Sequence, residues 1–533
     1  MYYLKSSVKL EPTIWGWYAW AQFLSPTTAS LNLVNRCLKL MESFVSTPEI
    51  HSLAASNPAL SGGAFVNLNK SQVPIIQALI ISIRNNCKSL IELAEAINSY
   101  SNLLKTMADG HSLENLYFLI PDQLKGMIEL VYDMDNNPSI RFIEPLLYEN
   151  YYDNSGQGFI LSETTKDYRP FCLSTPRLPS DEELFLKLPF NDNKIDELAK
   201  LRIYPKPWTE INSIFNLDKE KEKKLKNLFT FSKPLLDPDR NFNGKGIRVR
   251  YFGHACVLLE TSNTKILIDP AISYDYQTSI KRFTFNDLPD HIDYVLFTHA
   301  HDDHVVFETL FQIRYKVKNF VCPRNNTGFL ADPAIKLALN KIGFNSVITL
   351  EEFESLQLLD GIITAVPFLG EHCDLNIHSK VAYFIKLKNN SFLFAADSNN
   401  LDSNLYKNIF KKLGKLDVFF IGMECVGAPL TWQYGPLLTS KIENSQDQSR
   451  RLSGSDFKKA LEIVELSKAQ QVYVYAMGQE PWLNYIMALD YSDSSYQITE
   501  SDKLIKACIE KGIISERLYI KKEWVIENGR ILN

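Results

Sequence analysis

The chain has 533 residues, 45% hydrophobic and 22% charged, with a formal net charge of −5. That length exceeds what one hydrophobic core serves, so two domains are expected, and the charge balance lacks the basic footprint of a nucleic-acid binder. Eight cysteines lie scattered with no C-x-x-C pair; this speaks against a zinc ribbon or disulfide framework and for a reducing cytoplasm.

Near the N-terminus, Lys5, Lys9, Glu11 and Pro12 interrupt any signal-like apolar stretch. No uncharged apolar run reaches membrane-spanning length, so no membrane partner is expected. Trp15, Trp17, Tyr18 and Trp20 form an aromatic cluster that is either an interface anchor or a core corner. Ser25-Pro26 opens a helical pattern through Leu31, Val34 and Leu38. A longer one runs from Ser71 through Ile75, Leu79, Ile83, Leu90, Leu93 and Ile97, and a third follows Asp122 through Leu124, Met127 and Leu130. Short apolar runs at 142–143 and 158–161 predict strands. His51 and His111 are isolated and read as structural. This half is mixed and mostly helical.

The charged run 218–224 predicts a solvated helix face. Residues 233–246 then collect Pro, Asp, Asn and Gly, which is linker chemistry. The boundary therefore falls between a domain over residues 1–240 and a second over 247–533. Beyond it the texture changes to strands at 247–251, 256–259, 266–268, 295–297, 320–322, 363–367, 381–387, 392–395, 418–421 and 472–475. A helix at 455–466 has Ser453 and Asp456 at its start. Many strands with fewer, later helices suit an α+β arrangement of layered sheets covered by helices.

The chemistry concentrates at Thr298-His299-Ala300-His301-Asp302-Asp303-His304, directly after the apolar run 294–297. Residues two apart on extended chain share a face, so His299 and His301 converge on one point. Asp303 and His304, past the bend, serve a second. Imidazole and carboxylate are the usual ligands of hydrolytic or oxygen-handling metals. Other strands also end in candidate ligands. Asp269 closes 266–268 and suits a supporting role, orienting ligands by hydrogen bonds; His254 belongs to the same edge. Asp397 follows 392–395, and its two oxygens suit a bridge between ions. Glu371-His372 follows 363–367, and spacing alone leaves open which of the two ligates, since neighbours on an extended strand point apart. Glu424, after 418–421, is either a catalytic candidate reaching the cluster or substrate, or a surface-loop carboxylate. The segment 478–482 is a candidate channel wall.

From residue 247 to about 490 the chain resembles the metallo-β-lactamase superfamily, on the H-x-H-x-D-H loop and the downstream Asp397. The resemblance implies an αββα sandwich with a dinuclear site at one edge. Hydrolases of that superfamily complete the second metal with a late histidine. Here no histidine follows His378, and the expected place reads Ala476-Met477-Gly478. A site poorer in imidazole and richer in carboxylate shifts preference from zinc toward iron or manganese. In this the chain is similar to the metallo-β-lactamase-fold diiron β-hydroxylases of nonribosomal peptide biosynthesis.

That likeness implies His299, His301 and Glu371 on one iron, Asp303 and His304 on the other, and Asp397 bridging, with His254, Asp269 and His372 behind them. It implies an O2-dependent monooxygenase with two Fe ions, O2 as co-substrate and an external electron donor, acting on an amino acid held as a thioester on a carrier-protein domain of a nonribosomal peptide synthetase. The N-terminal domain would dock that partner or form a homodimer. The rival is a dinuclear hydrolase of an ester, lactone or phosphodiester with metal-bound water as nucleophile. A nitrogen donor from His254 or His378 beside Met477 would restore that hydrolase pattern.

Overall fold

The computed structural model describes residues 1–532. Two mixed sheets face each other in the C-terminal half. The first has eight strands in the order Val347–Leu350, Val317–Pro323, Ile292–Leu296, Lys265–Ile268, Cys256–Glu260, Ile247–Gly253, Lys522–Glu527 and Arg530–Leu532. The second has seven: Ser355–Gln357, Gly361–Val366, Ala382–Leu387, Asn390–Phe394, Val418–Gly422, Gln471–Tyr475 and Ile514–Arg517. In each sheet one strand marks the change from antiparallel to parallel pairing. These are Lys265–Ile268 and Asn390–Phe394. Parallel strands deliver their C-terminal ends to one edge, and such switch points are where open α/β sheets place ligands.

Alternation decides the layers. Val249, Val257 and Ile266 point inward and meet Ile385, Phe392 and Phe420 of the second sheet. Leu393, Phe419 and Val472 point the other way, under the helices Ser403–Leu413, Phe457–Ser467 and Tyr496–Glu510. The outer face of the first sheet, with Leu258, Leu267 and Val295, shares a continuous core with the N-terminal half. Between them runs Phe307–Ile313, a helix buried at every residue. The C-terminal half is thus the expected αββα sandwich.

The N-terminal half holds a four-stranded antiparallel sheet, in the order Trp17–Tyr18, Val8–Ile14, Gln157–Glu163 and Leu184–Leu186, flanked by helices. It is fastened to the sandwich by buried charge. Arg169 Nη1 lies 2.8 Å from Glu308 Oε2, and Leu10 N donates to Tyr274 Oη at 3.2 Å, while that hydroxyl donates in turn to Glu308 Oε1 at 2.6 Å. Residues 233–246 cross between the halves, and the carbonyl of Arg240 accepts from Arg248 and Arg250, which share Glu260 as counter-ion. No helix among the described residues is long and apolar enough to cross a membrane.

Several local expectations are corrected. The pattern starting at Ser71 is two helices, Val73–Asn86 and Lys88–Met107, because Cys87 leaves helical geometry at φ −110° and ψ 28°. Of the apolar positions after Asp122, Leu124 lies in a turn, Met127 in a bend and Leu130 in a strand, Ile128–Tyr132, paired with Pro138–Phe142. The turn between them is set by Asp133, whose Oδ1 accepts from the backbone of Asp135 and Asn137, and by Asn136 at φ 59°; Asn and Asp tolerate this geometry. The helical pattern after Ser25 contains a π-helical stretch, Leu33–Leu38. At the later helix Asp456 alone is the cap, accepting from Lys459 N at 3.0 Å. Trp17, Tyr18 and Trp20 are core.

Candidate metal centre

The strand ends bring the candidate residues to one edge. Lys265–Ile268 turns at Asp269, with φ 40°. Thr298 N and Oγ1 donate to Asp269 Oδ1 and Oδ2 at 2.8 and 2.6 Å, and His304 Nδ1 lies 2.9 Å from Oδ2. One fully buried carboxylate therefore fixes both ends of the histidine loop. The loop is also stitched to the second sheet, where Val381 N donates to Thr298 O at 2.8 Å.

Three overlapping groups of ligand atoms result: His299, His301, Glu371 and His372; His299, His304 and Asp397; and His254, Asp303 and His304. Glu371 Oε1 lies 2.9 Å from His301 Nδ1, and Asp397 Oδ2 lies 3.0 Å from His304 Nε2 and 3.6 Å from His299 Nε2. His299 Nε2 is buried with no hydrogen-bond partner, and Glu371 Oε2 and Asp397 Oδ2 lie 3.9 and 3.6 Å from it. A buried polar atom left unpaired is costly, so the donor set fits metal ions. The field agrees. Burial opposes ionisation of Glu371, yet His301 and His372 beside it hold its carboxyl down at about 2. Burial likewise opposes a charged His304, but Asp303, Asp397 and Asp269 hold its proton affinity well above the ordinary imidazole range.

The sequence model for the diiron non-heme β-hydroxylase N-terminal domain matches residues 3–234, and that for the β-lactamase superfamily domain matches residues 248–437. The 4-amino-L-phenylalanyl-[CmlP-peptidyl-carrier-protein] 3-hydroxylase of Streptomyces venezuelae is 35% identical over 98% of this chain and 99% of its own length. The chain belongs to the diiron non-heme β-hydroxylases. The crystal structure of CmlA, a diiron β-hydroxylase from Streptomyces venezuelae, superposes with a TM-score of 0.92 at 35% identity, covering 98% of this chain and 99% of that one. A metal-dependent hydrolase of Listeria welshimeri is 26% identical over 33% of this chain and 72% of its own.

In this β-hydroxylase the choice between Glu371 and His372 is not the one that strand geometry poses. The strand ends at Val366, and residues 370–374 form a loop with positive φ at Gly370, Glu371, Cys373 and Asp374. Both side chains consequently reach the cluster: His372 Nδ1 lies 2.8 Å from Glu371 Oε2, and its ring stacks on His301 at 4.5 Å.

His254 occupies the space beside Met477 where a late histidine was lacking. Gly478 N donates to its Nδ1 at 3.2 Å, and its Nε2 lies 3.0 Å from Asp303 Oδ2. A backbone N–H can only donate, so a neutral ring carries its proton on Nε2 and gives it to Asp303. His254 therefore turns its Nε2 toward Asp303, where it supports the carboxylate and also stands among the ligand atoms of the third group. His378 lies elsewhere, its N–H donating to Asp332.

A cavity of about 470 Å³ opens from the cluster. Its floor holds His301, Asp303, Glu371, Asp397 and Glu424; its walls include Leu60, Gly62 and Phe65 from the N-terminal half, with Trp432 and Met487. Glu424 thus belongs to the site rather than to a surface loop. Burial, then Asp397 and Asp303, push its carboxyl well above the ordinary range. The segment 478–482 is corrected: Glu480 accepts from Tyr251 at 2.6 Å, and Gly478, Glu480 and Pro481 line a separate groove. Two features escaped the sequence. One is the N-terminal wall, whose only signal is the pair Gly62-Gly63. The other is Tyr434, 3.2 Å from His301 Nε2, which carries no motif.

Proposed function

We propose that this enzyme hydroxylates Cβ of an aromatic amino acid held as a thioester on a peptidyl-carrier domain of a nonribosomal peptide synthetase. The observation that carries the reading is the buried, carboxylate-rich cluster lining a largely apolar cavity of about 470 Å³. Such a cavity suits a side chain delivered on an extended arm, and the relative from Streptomyces venezuelae acts on a carrier-bound 4-amino-L-phenylalanyl group. The overall change is R–H + O2 + 2e⁻ + 2H⁺ → R–OH + H2O, with the electrons from an external donor.

In this reading His299 through Nε2, His301 through Nδ1 and Glu371 would hold one iron, Asp303 and His304 through Nε2 would hold the other, and Asp397 would serve both. When bound, an iron pair would supply the electrons that activate O2, whose triplet ground state reacts only slowly with a C–H bond. The chain's own residues do the rest. Asp269 and His254 orient His304 and Asp303, His372 braces Glu371, and Leu60, Phe65 and Met487 exclude water from the cavity. Glu424 lines the same cavity and is the candidate catalytic acid.

Residues 1–240 and 247–533 would then be two units sharing one cavity, with the first also forming a homodimer. The eight unpaired cysteines favour a cytoplasmic enzyme; export to an oxidising compartment, seen by cell fractionation, would contradict that. The test of activity uses purified full-length protein reconstituted with Fe(II), a reductant and an aminoacyl-carrier protein. Two irons per chain and a product 16 Da heavier, labelled from ¹⁸O2, are expected. Zinc-supported hydrolysis of esters without O2 uptake would replace this reading with the hydrolase.

A further inference from the structure

Each imidazole assigned to a metal has two nitrogens, and the partner of the remote one fixes which nitrogen is left to ligate. For His299 that partner is Thr298 Oγ1, 3.0 Å from Nδ1, and for His304 it is Asp269 Oδ2, 2.9 Å from Nδ1. Both partners sit on the sheet edge itself. His301 differs. Its Nδ1 faces Glu371, and its Nε2 faces Tyr434 Oη at 3.2 Å, the one hydrogen bond of that hydroxyl among the described residues. With Nδ1 and Glu371 holding an ion, no proton would remain between them. The neutral ring then keeps its proton on Nε2, and Tyr434 accepts it.

Tyr434 ends the short helix Leu430–Tyr434, which has no sheet strand to hold it. It is held from both sides instead. Asp447 accepts from Thr431 N and Oγ1 at 2.8 and 2.9 Å. From the N-terminal half, Arg36 Nη2 donates to Trp432 O at 2.5 Å and Asn35 Nδ2 to Pro436 O at 2.8 Å.

We propose that Tyr434 is a positioning residue for His301, and that the N-terminal half holds it in place through Arg36 and Asn35. The proposal rests on the ligand assignment above and gives the N-terminal half a part in the metal centre itself.

The first test uses full-length protein loaded with zinc as a diamagnetic probe and labelled with ¹⁵N-histidine. Histidine NMR is expected to show His301 coordinated through Nδ1 with a protected Nε2–H. Coordination through Nε2 overturns the proposal, whereas a His301 bearing no metal removes the ligand assignment instead. The second test titrates ⁵⁷Fe(II) anaerobically into Tyr434→Phe and Asn35→Ala. For Tyr434→Phe one of the two irons should bind about 10–100-fold more weakly, with one Mössbauer doublet altered and the other kept. Asn35→Ala should perturb the same doublet by less. Wild-type affinities and doublets in Tyr434→Phe overturn the proposal, and an unaltered Asn35→Ala overturns the bracing by the N-terminal half. Should Tyr434→Phe fail to fold, the NMR result on the unmodified chain decides the positioning role.

Discussion

At the scale of the residue, the metal centre depends on small groups that leave room as much as on the groups that bind. Gly422 ends the strand beside Asp397, and a Cβ there would stand 2.7 Å from both Ala396 O and Asp397 Oδ1. Both contacts must be relieved, so the Ala396 carbonyl and the Asp397 carboxylate that follows it must move together. Gly422→Ala is therefore expected to lower iron content from two toward one or none per chain, with far-UV circular dichroism unchanged; full iron loading would show that Asp397 has slack. The histidine loop itself was legible in the sequence because its ligands are contiguous and one apolar strand fixes their phase. Tyr434 was not, because it bonds His301 from 133 positions away.

At the scale of the element, helix ends join the two halves. Glu144, first residue of the helix Glu144–Tyr151, accepts from Ala334 N with both oxygens, at 3.2 and 3.1 Å, just before the helix Ile335–Lys341. Burial, with Asp332 adding to it, raises this carboxyl from 4.5 to about 7. Between those values the folded chain holds a proton that the unfolded chain has released, so stability falls as pH rises through the interval and stays lower above it. Glu144→Gln removes this slope. Denaturant unfolding at pH 5 and pH 8 should show the variant gaining on the parent at the higher pH, by on the order of 3 kcal/mol at most. An equal difference at both values would mean that Glu144 is ionised when folded. The apolar spacing after Asp122 misled for a reason at this scale. Positions 124, 127 and 130 fit one helix face, but the turn chemistry of Asp133 to Asn137 closes a hairpin, and strand pairing then wins over helical spacing.

At the scale of the whole molecule, the N-terminal half shares its core with the first sheet, so the cavity, one of its walls and the brace on Tyr434 exist only when both halves are folded together. The proposed homodimer is a property of this scale. Sedimentation velocity should give a dimer for the full-length chain; a monomer removes that part of the reading.

The sequence by itself determined layered sheets covered by helices, the edge at which their strands stop, and the candidate ligands that lie near one another or after a strand, because strand alternation and short-range spacing fix those directions locally; the αββα sandwich followed from the family resemblance. Tertiary structure alone decided which nitrogen of each histidine faces the cluster, how Glu371 and His372 both reach it, that His254 serves Asp303, and that the N-terminal half walls the cavity. Those outcomes depend on hydrogen bonds and left-handed loop geometry between segments far apart in the chain, which no local pattern encodes.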